Sequence, residues 1–152
     1  MKKLFTFIFI VFITGEALSQ TYEYMVITSV ESIVPAGLGR SRLISSDEDR
    51  NYQDYTSKRS EEDDSRNRSK REDIRVKNFE ETKLLNFYNL TGIRFQNIAA
   101  NDAVITSKLN DLSENGWELA FVTSGVESDA GEQDGNGIFI TRFIFKRPLT
   151  QD

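Results

Sequence analysis

Hydrophobic and polar residues alternate with period two in the first long apolar stretch after residue 20. From Thr21 to Val30 the chain is dense in β-branched and aromatic residues, which is typical of a strand. One side of this strand carries Tyr22, Tyr24, Val26, Thr28 and Val30. The other side is also partly apolar, with Met25 and Ile27, so both faces of the strand can be covered.

Two further apolar stretches are less regular. After a break at Pro35–Gly39, the stretch Arg40–Ile44 predicts a short strand. Ile74–Phe95 then has enough apolar area for one or two more strands, but its pattern does not define where they begin and end.

A helical period replaces the alternation near residue 101. The apolar residues recur at i, i+4 and i+7 and are Ile105, Leu109 and Leu112. Asn101 or Asp102 can cap the amino end, and Gly116 supplies the left-handed residue that ends a helix. The spacing therefore predicts an amphipathic helix of about four turns over residues 101–115.

Two strands that are predicted to form a hairpin complete the pattern. Trp117–Val126 alternates, and Trp117 lies in step with Leu119 and Phe121, which predicts a core position for the indole ring. Ile138–Arg147 is rich in Ile and Phe. The whole pattern predicts an α+β fold in which one helix packs against a mainly antiparallel sheet of four or five strands.

The apolar pattern stops between Ile44 and Ile74, where the chain has no Val, Leu, Ile or Met. Residues 45–73 mix acidic and basic side chains, and such a composition cannot offset the entropy of ordering. We expect a charged, disordered insertion, either a solvated loop or a frayed helix. A docking segment that folds on a partner is the alternative. Tyr52 and Tyr55 are then the interaction candidates, because buried aromatic residues dominate binding energy at interfaces.

The first 19 residues have the layout of a secretory signal peptide. Two lysines precede the apolar run Leu4–Ile13, and a small-residue exit, Ala17–Ser19, follows it. A membrane anchor needs roughly 20 apolar residues, but Thr14–Glu16 interrupts this run. We expect cleavage after Ser19 or Gln20. Residues 20–152 are then a single exported domain, periplasmic or secreted in a bacterium, with no stable membrane insertion.

Charge and composition narrow the classes of function. The 152-residue chain carries 19 Lys and Arg against 24 Asp and Glu, a net charge of −5. Without residues 1–19 these counts are 17 and 23, a net charge of about −6, which disfavours nucleic acid as a partner. With neither His nor Cys, the chain lacks the commonest proton shuttle, the commonest transition-metal ligand and a thiol nucleophile. We expect no enzyme activity and no cofactor.

The polar loop Ser128–Gly137 contains one weak metal-binding pattern. Glu132, Asp134 and Asn136, followed by a glycine, resemble the first half of a calcium-binding EF-hand loop, where alternate oxygens face the ion. The second half does not follow, because the twelfth position counted from Glu132 is Phe143 rather than Glu. A plain hairpin loop is therefore the favoured interpretation.

Four short motifs carry a resemblance to a known family: Tyr22-Glu23-Tyr24, Leu112–Gly116, Trp117-Glu118-Leu119 and Phe145-Lys146-Arg147-Pro148. This combination resembles the small bacterial domains of unknown function grouped as DUF4177. The match covers the first strand and the C-terminal third of the chain, and the chain departs from it by the long excursion from Ser32 to Ala100. The resemblance implies a fold but no activity, because that family has none assigned.

Three functional hypotheses follow. The leading one is a non-enzymatic protein-interaction module of the cell envelope that binds another envelope protein or itself. The alternative is a domain that binds a small molecule, a glycan or calcium, using the open face of its sheet. The least favoured is a hydrolase built on a carboxylate pair, for which the sequence shows no motif.

Overall fold

The computed structural model describes residues 20–32, 41–46, 48–89, 91–127 and 137–149. The predicted signal peptide, the break at Pro35–Gly39 and most of the predicted loop Ser128–Gly137 lie outside these ranges. The strands in the described ranges are β1 (Tyr22–Ser32), β2 (Arg42–Ser45), β3 (Glu80–Lys83), β4 (Tyr88–Asn89), β5 (Gly92–Ile93), β6 (Glu118–Glu127) and β7 (Ile138–Pro148). The helices are α1 (Arg71–Ile74) and α2 (Phe95–Glu114), and a 3-10 turn covers Tyr52–Tyr55.

Five of these strands form one antiparallel sheet in the order β3-β2-β1-β7-β6. Strands β1 and β7 pair along their whole length, from Tyr22 opposite Pro148 to Ser32 opposite Ile138. Strands β4 and β5 form a separate two-stranded hairpin. The predicted α+β class with one main helix is confirmed, and of the predicted four or five strands the main antiparallel sheet has five. The predicted hairpin is also confirmed as β6 and β7, and the short strand before the insertion as β2.

The core lies between α2 and one face of the sheet. Its buried residues are Ile27, Leu43, Leu84, Leu112 and Phe145. Full burial of a side chain of this size stabilises the fold by about 2 kcal/mol. Leu109 and Trp117 pack against this cluster, as the helical period and the position of the indole predicted.

Only one of the two apolar faces of β1 is covered within the described residues. Ile27 is buried beneath α2, whereas Tyr24 on the opposite face is 66% exposed and Val26 is 46% exposed. The period-two pattern left both faces available for burial. Helix α2 is the one described helix longer than a single turn, and it lies on the side of Ile27.

Helix α2 begins earlier than its sequence predicted. It starts at Phe95, so Asn101 lies inside the helix and is not its cap. The Asn101 side chain is buried, accepts a hydrogen bond from the Leu85 N–H at 2.7 Å and donates to the Leu85 carbonyl at 2.8 Å and to Glu31 at 2.9 Å. Asparagine favours caps because it bonds to nearby backbone, but here the partner backbone belongs to another segment.

The carboxyl end of α2 is where the sequence placed it. Gly116 has φ +81°, the left-handed region that favours glycine. The Trp117 N–H donates to the Leu112 carbonyl and the Gly116 N–H donates to the Ser113 carbonyl, the two bonds of a Schellman cap. This cap turns the chain directly from the helix into β6.

A bulge at Ala120 corrects the predicted alternation of β6. Leu119 lies opposite Phe145 on the core side, but Phe121 lies opposite Ile144 on the other side. The extra residue moves Phe121 to the uncovered face, where it is 61% exposed. The prediction that Leu119 and Phe121 share a face was therefore wrong.

The insertion contributes nothing to the core. Ser45, its predicted first residue, is the buried last residue of β2, and none of the described residues 48–73 is buried. The Tyr55 hydroxyl donates to the Asp73 carbonyl at 2.9 Å, and the Asn67 side chain donates to the Asp54 carbonyl at 2.7 Å. The disorder predicted for residues 45–73 stays a prediction.

Candidate functional site

The uncovered face of the sheet, here called the open face, exposes several large apolar side chains, among them Tyr24, Val26 and Phe121. It is formed by alternate residues of five strands. Its middle carries Tyr22, Tyr24, Val26, Thr28 and Val30 of β1, Ile138, Ile140, Arg142, Ile144 and Lys146 of β7, Phe121, Thr123 and Gly125 of β6, and Ile44 of β2. Its borders are charged, with Glu118 and Glu127 of β6, Arg42 of β2, and Glu81 and Lys83 of β3. Val26, Ile144 and Phe121 are direct neighbours across three strands. Contiguous apolar surface of this kind marks an interaction site more often than scattered apolar residues do.

One positive charge lies in the middle of the open face. The strand register places Arg142 between Thr28 and Thr123, and Arg142 forms no hydrogen bond or ion pair with another described residue. Arg142 and Thr123 border a shallow hollow of about 370 Å³, and Glu127 lies on the same hollow without forming an ion pair with Arg142. A guanidinium presents a planar fork of donors that matches a carboxylate, so this position suits an anionic group of a ligand or partner.

Sequence reasoning missed Arg142 as a site residue. Its position in the middle of the open face becomes visible only in the strand register, which sets Thr28 and Thr123 beside it. The sequence did contain one signal for this site, a single arginine between Ile140 and Ile144 on the same side of the strand. Covering a charge within an apolar row of residues has a desolvation cost, so such an arginine is expected to face solvent or a charged partner.

The motifs that carried the family resemblance meet at one end of the sheet. Arg147 bonds to Glu23 at 2.7 Å and lies over the Trp117 ring at 4.5 Å. Lys146 pairs with Glu118 at 3.5 Å and lies over the Tyr22 ring at 5.1 Å. These contacts join β1, β7 and the start of β6, so in this chain the residues of these motifs stabilise the fold.

The two outer strands of the sheet differ in length and character. Strand β3 has four residues, of which Glu80, Glu81 and Lys83 are charged. Strand β6 has ten residues, and all of them are exposed. Its outer side, here called the free edge, has no strand partner within the described residues. A long edge strand with apolar side chains is a template for pairing with another strand.

The two predicted interaction tyrosines have different environments. Tyr52 is 73% exposed and borders an open hollow of about 540 Å³ in the insertion, whereas Tyr55 is half-buried and does not line that hollow. Asp63, which also borders the hollow, accepts a hydrogen bond from the Ser65 N–H at 2.8 Å, and this bond holds the pKa of the Asp63 carboxyl below its usual value. The hollow is polar, and Tyr52 is its one aromatic residue.

The weak calcium candidates Glu132, Asp134 and Asn136 lie outside the described residues. Within the described ranges no group of three or more acidic side chains could hold a metal ion. None of the Asp or Glu residues in these ranges is fully buried.

No described helix combines the length and the apolar character needed to cross a membrane. No protein-family model matches the chain, and the comparisons with curated proteins and with solved structures give no match either. The resemblance to DUF4177 domains therefore stays a prediction. The open face and the free edge are the surfaces from which a function has to be inferred.

Proposed function

We propose that this chain is a non-enzymatic exported module that binds another protein of the bacterial cell envelope through its open face. The observation that carries the proposal is an exposed apolar surface with a cation in its middle, Arg142, that has no partner among the described residues. Tyr24, Val26 and Phe121 are all strongly exposed there, and Arg142 lies beside them. Apolar side chains that stay in water do not stabilise the fold, so their exposure needs another explanation.

The composition of the open face fits a protein partner. Aromatic residues and arginine are enriched in protein interfaces, and anchors of this type carry most of the binding energy. Covering the face without a counter-charge would leave Arg142 desolvated and unpaired. The proposed partner segment therefore presents apolar side chains together with one carboxylate placed opposite Arg142.

The proposal keeps the insertion as a second, weaker contact. Its exposed residue Tyr52 is the remaining aromatic anchor of the predicted docking segment. Deleting residues 48–73 should leave the sheet intact, because none of these residues is buried. We expect that deletion to weaken partner capture less than a change on the open face does.

Photocrosslinking in cells tests the proposal. A benzoylphenylalanine at position 121 replaces an exposed ring of the open face, and the same group at Asn110 on the exposed side of α2 is the matched control. We expect one recurrent adduct with an envelope protein from position 121 and none from position 110. Adding Arg142→Glu should abolish that adduct. Equal adduct patterns from the two positions contradict the proposal.

A glycan or small-molecule ligand is the second candidate for the same face. The rings of Tyr24 and Phe121 can stack on the apolar side of a sugar. Thr28 and Thr123 place hydroxyl groups beside Arg142, which suits an acidic sugar. Calorimetry against uronate-containing and neutral oligosaccharides distinguishes this candidate. Saturable heat that is lost in Arg142→Gln favours the glycan, and absence of heat removes it.

A further inference from the structure

We infer that the free edge of β6 pairs with the same edge of a second copy, forming a two-fold symmetric dimer with one continuous sheet. The pairing uses backbone groups and leaves the open face of each copy available. The inference therefore stands separately from the proposed envelope partner. It concerns a different surface and has a different occupant.

The first argument is that, apart from its bulge at Ala120, β6 lacks the usual protection of an edge strand within the described residues. Natural edges are blunted by short length, by lysine or proline, by a bulge, or by a covering element. Strand β6 has ten exposed residues with neither lysine nor proline among them. Exposed apolar side chains also lie on both of its faces, with Val122 and Val126 on the core side and Phe121 on the open face.

The second argument is that β6 is complementary to itself in one register. The bulge at Ala120 interrupts the alternation, so regular pairing extends only from Phe121 to Glu127. A two-fold axis at the centre of this segment passes beside Ser124. In that register Val122 lies opposite Val126 of the other copy, and this apolar pair occurs twice. A register that places Glu118 opposite Glu127 of the other copy sets like charges together and is disfavoured.

The third argument disfavours the competing symmetric contact, in which two open faces pack against each other. The open face carries charged groups on several strands, with Arg142 in its middle and Glu118, Glu127 and Glu81 towards its borders. Face-to-face packing removes these charges from water, which is unfavourable unless each of them finds a partner. Edge pairing carries no such cost, because Arg142 keeps its access to solvent.

The size of the contact predicts a reversible dimer. Seven paired residues extend over about 24 Å of strand, and a sheet is about 10 Å thick, so the contact covers about 240 Å² per copy. A stable complex buries about 800 Å² per partner. We therefore expect monomer and dimer to exchange, with the dimer fraction rising with protein concentration.

The absence of cysteine makes disulfide crosslinking a clean test. The full chain, exported with its own leader and purified, carries single substitutions and is oxidised with a copper–phenanthroline catalyst. Facing residues of an antiparallel pair lie about 5 Å apart, within disulfide range. We expect Ser124→Cys to form a linked dimer at least about ten times faster than Thr82→Cys on the exposed edge β3.

A mixing experiment tests the register. Val122→Cys and Val126→Cys should crosslink slowly when each is oxidised alone and rapidly when the two are mixed, because each residue faces the other across the axis. Val122→Lys adds a charge to the edge and should make the protein monomeric by sedimentation at concentrations where Thr82→Lys still dimerises. Circular dichroism confirms that each variant is folded.

Three outcomes would overturn the inference. If Ser124→Cys crosslinks no faster than Thr82→Cys, β6 does not pair with the β6 of a second copy. Crosslinks that concentrate at Val26→Cys place the contact on the open face instead. Sedimentation as a monomer at the highest attainable concentration removes the dimer altogether.

Discussion

The two edge strands of the sheet differ in how easily another strand can pair with their free backbone groups. Strand β3 is short and charged, and Glu80 at its start accepts a hydrogen bond from Ser45 and an ion pair from Lys108 of α2. Strand β6 is long, exposed and mostly uncharged. A charged edge is costly to cover with another strand, whereas an apolar one is not. One sheet therefore has one edge that resists pairing and one edge that accepts it.

The two edges also differ in how they are tied to the core. The segment that follows β3 is held by buried groups, since Leu84 belongs to the core and Leu85 bonds to Asn101 through both of its backbone groups. Strand β6 is held by its pairing with β7 and by the contacts of Arg147 and Lys146 at one end. Changes near the two edges should therefore have unequal effects on stability.

The largest expected difference is between two leucines near these edges. Leu84 is 2% exposed and Leu119 is 42% exposed. Leu84→Ala should lower the free energy of unfolding by about 2–5 kcal/mol, because it leaves a cavity in the core. Leu119→Ala should cost about 1 kcal/mol, since 42% of the residue stays in water in the folded chain. Urea denaturation measures both, and equal costs would show that β6 is anchored as firmly as β3.

A smaller difference is expected for two asparagines of α2. Asn101→Leu removes both of the partly buried bonds to the Leu85 backbone, which should cost about 1–3 kcal/mol. Asn110→Leu is the control, because Asn110 is exposed. Hydrogen exchange should show lost protection at Leu85 and unchanged protection in β6. Equal loss at both edges would contradict the separate anchoring of β3.

Two arginines of β7, the strand that pairs with β6, should contribute differently to stability. Arg147→Gln loses the ion pair with Glu23 and the contact with Trp117, and should cost about 1 kcal/mol. Arg142→Gln should leave stability unchanged, because Arg142 has no partner among the described residues. Thermal unfolding measures both variants. A larger loss from Arg142→Gln would mean that its charge is compensated within the fold.

The smallest expected effect is a change in folding stability at acidic pH. The Asn78 N–H donates to Glu48 at 2.7 Å, and this bond, followed by the one from Arg50, holds the pKa of the Glu48 carboxyl below its usual value of 4.5. The carboxylate thus stabilises the folded chain above pH 4.5, and this contribution is lost as the pH falls through the lowered pKa.

Proton titration by NMR measures that pKa. Asn78→Pro removes the amide donor and should return the Glu48 pKa toward 4.5, and Arg50→Ala should return it by less. A Glu48 pKa at or above 4.5 in the unmodified protein would mean that this contact between the segments after β2 and before β3 does not form in solution.

Local sequence was sufficient for the elements with a strong period or a clear stop signal. Period-two alternation located β1, β6 and β7 to within two residues, and Gly116 marked the end of α2. It was insufficient for the amino end of α2, since the partners of Asn101 lie on β1 and after β3. The candidate site followed the same division. Composition indicated Tyr52 and Tyr55, while Arg142 and the free edge depended on strand register.

By itself the sequence determined that this chain forms an α+β domain with one long helix, antiparallel strands and a charged segment outside the core. These properties depend on neighbours along the chain, so spacing and composition are enough to predict them. Only the tertiary structure decided which face of β1 the helix covers, that Ala120 bulges, and that β6 rather than β1 or β7 is an edge. These properties depend on pairing between distant segments, and β1 is apolar on both faces, so its local pattern is compatible with either face being buried.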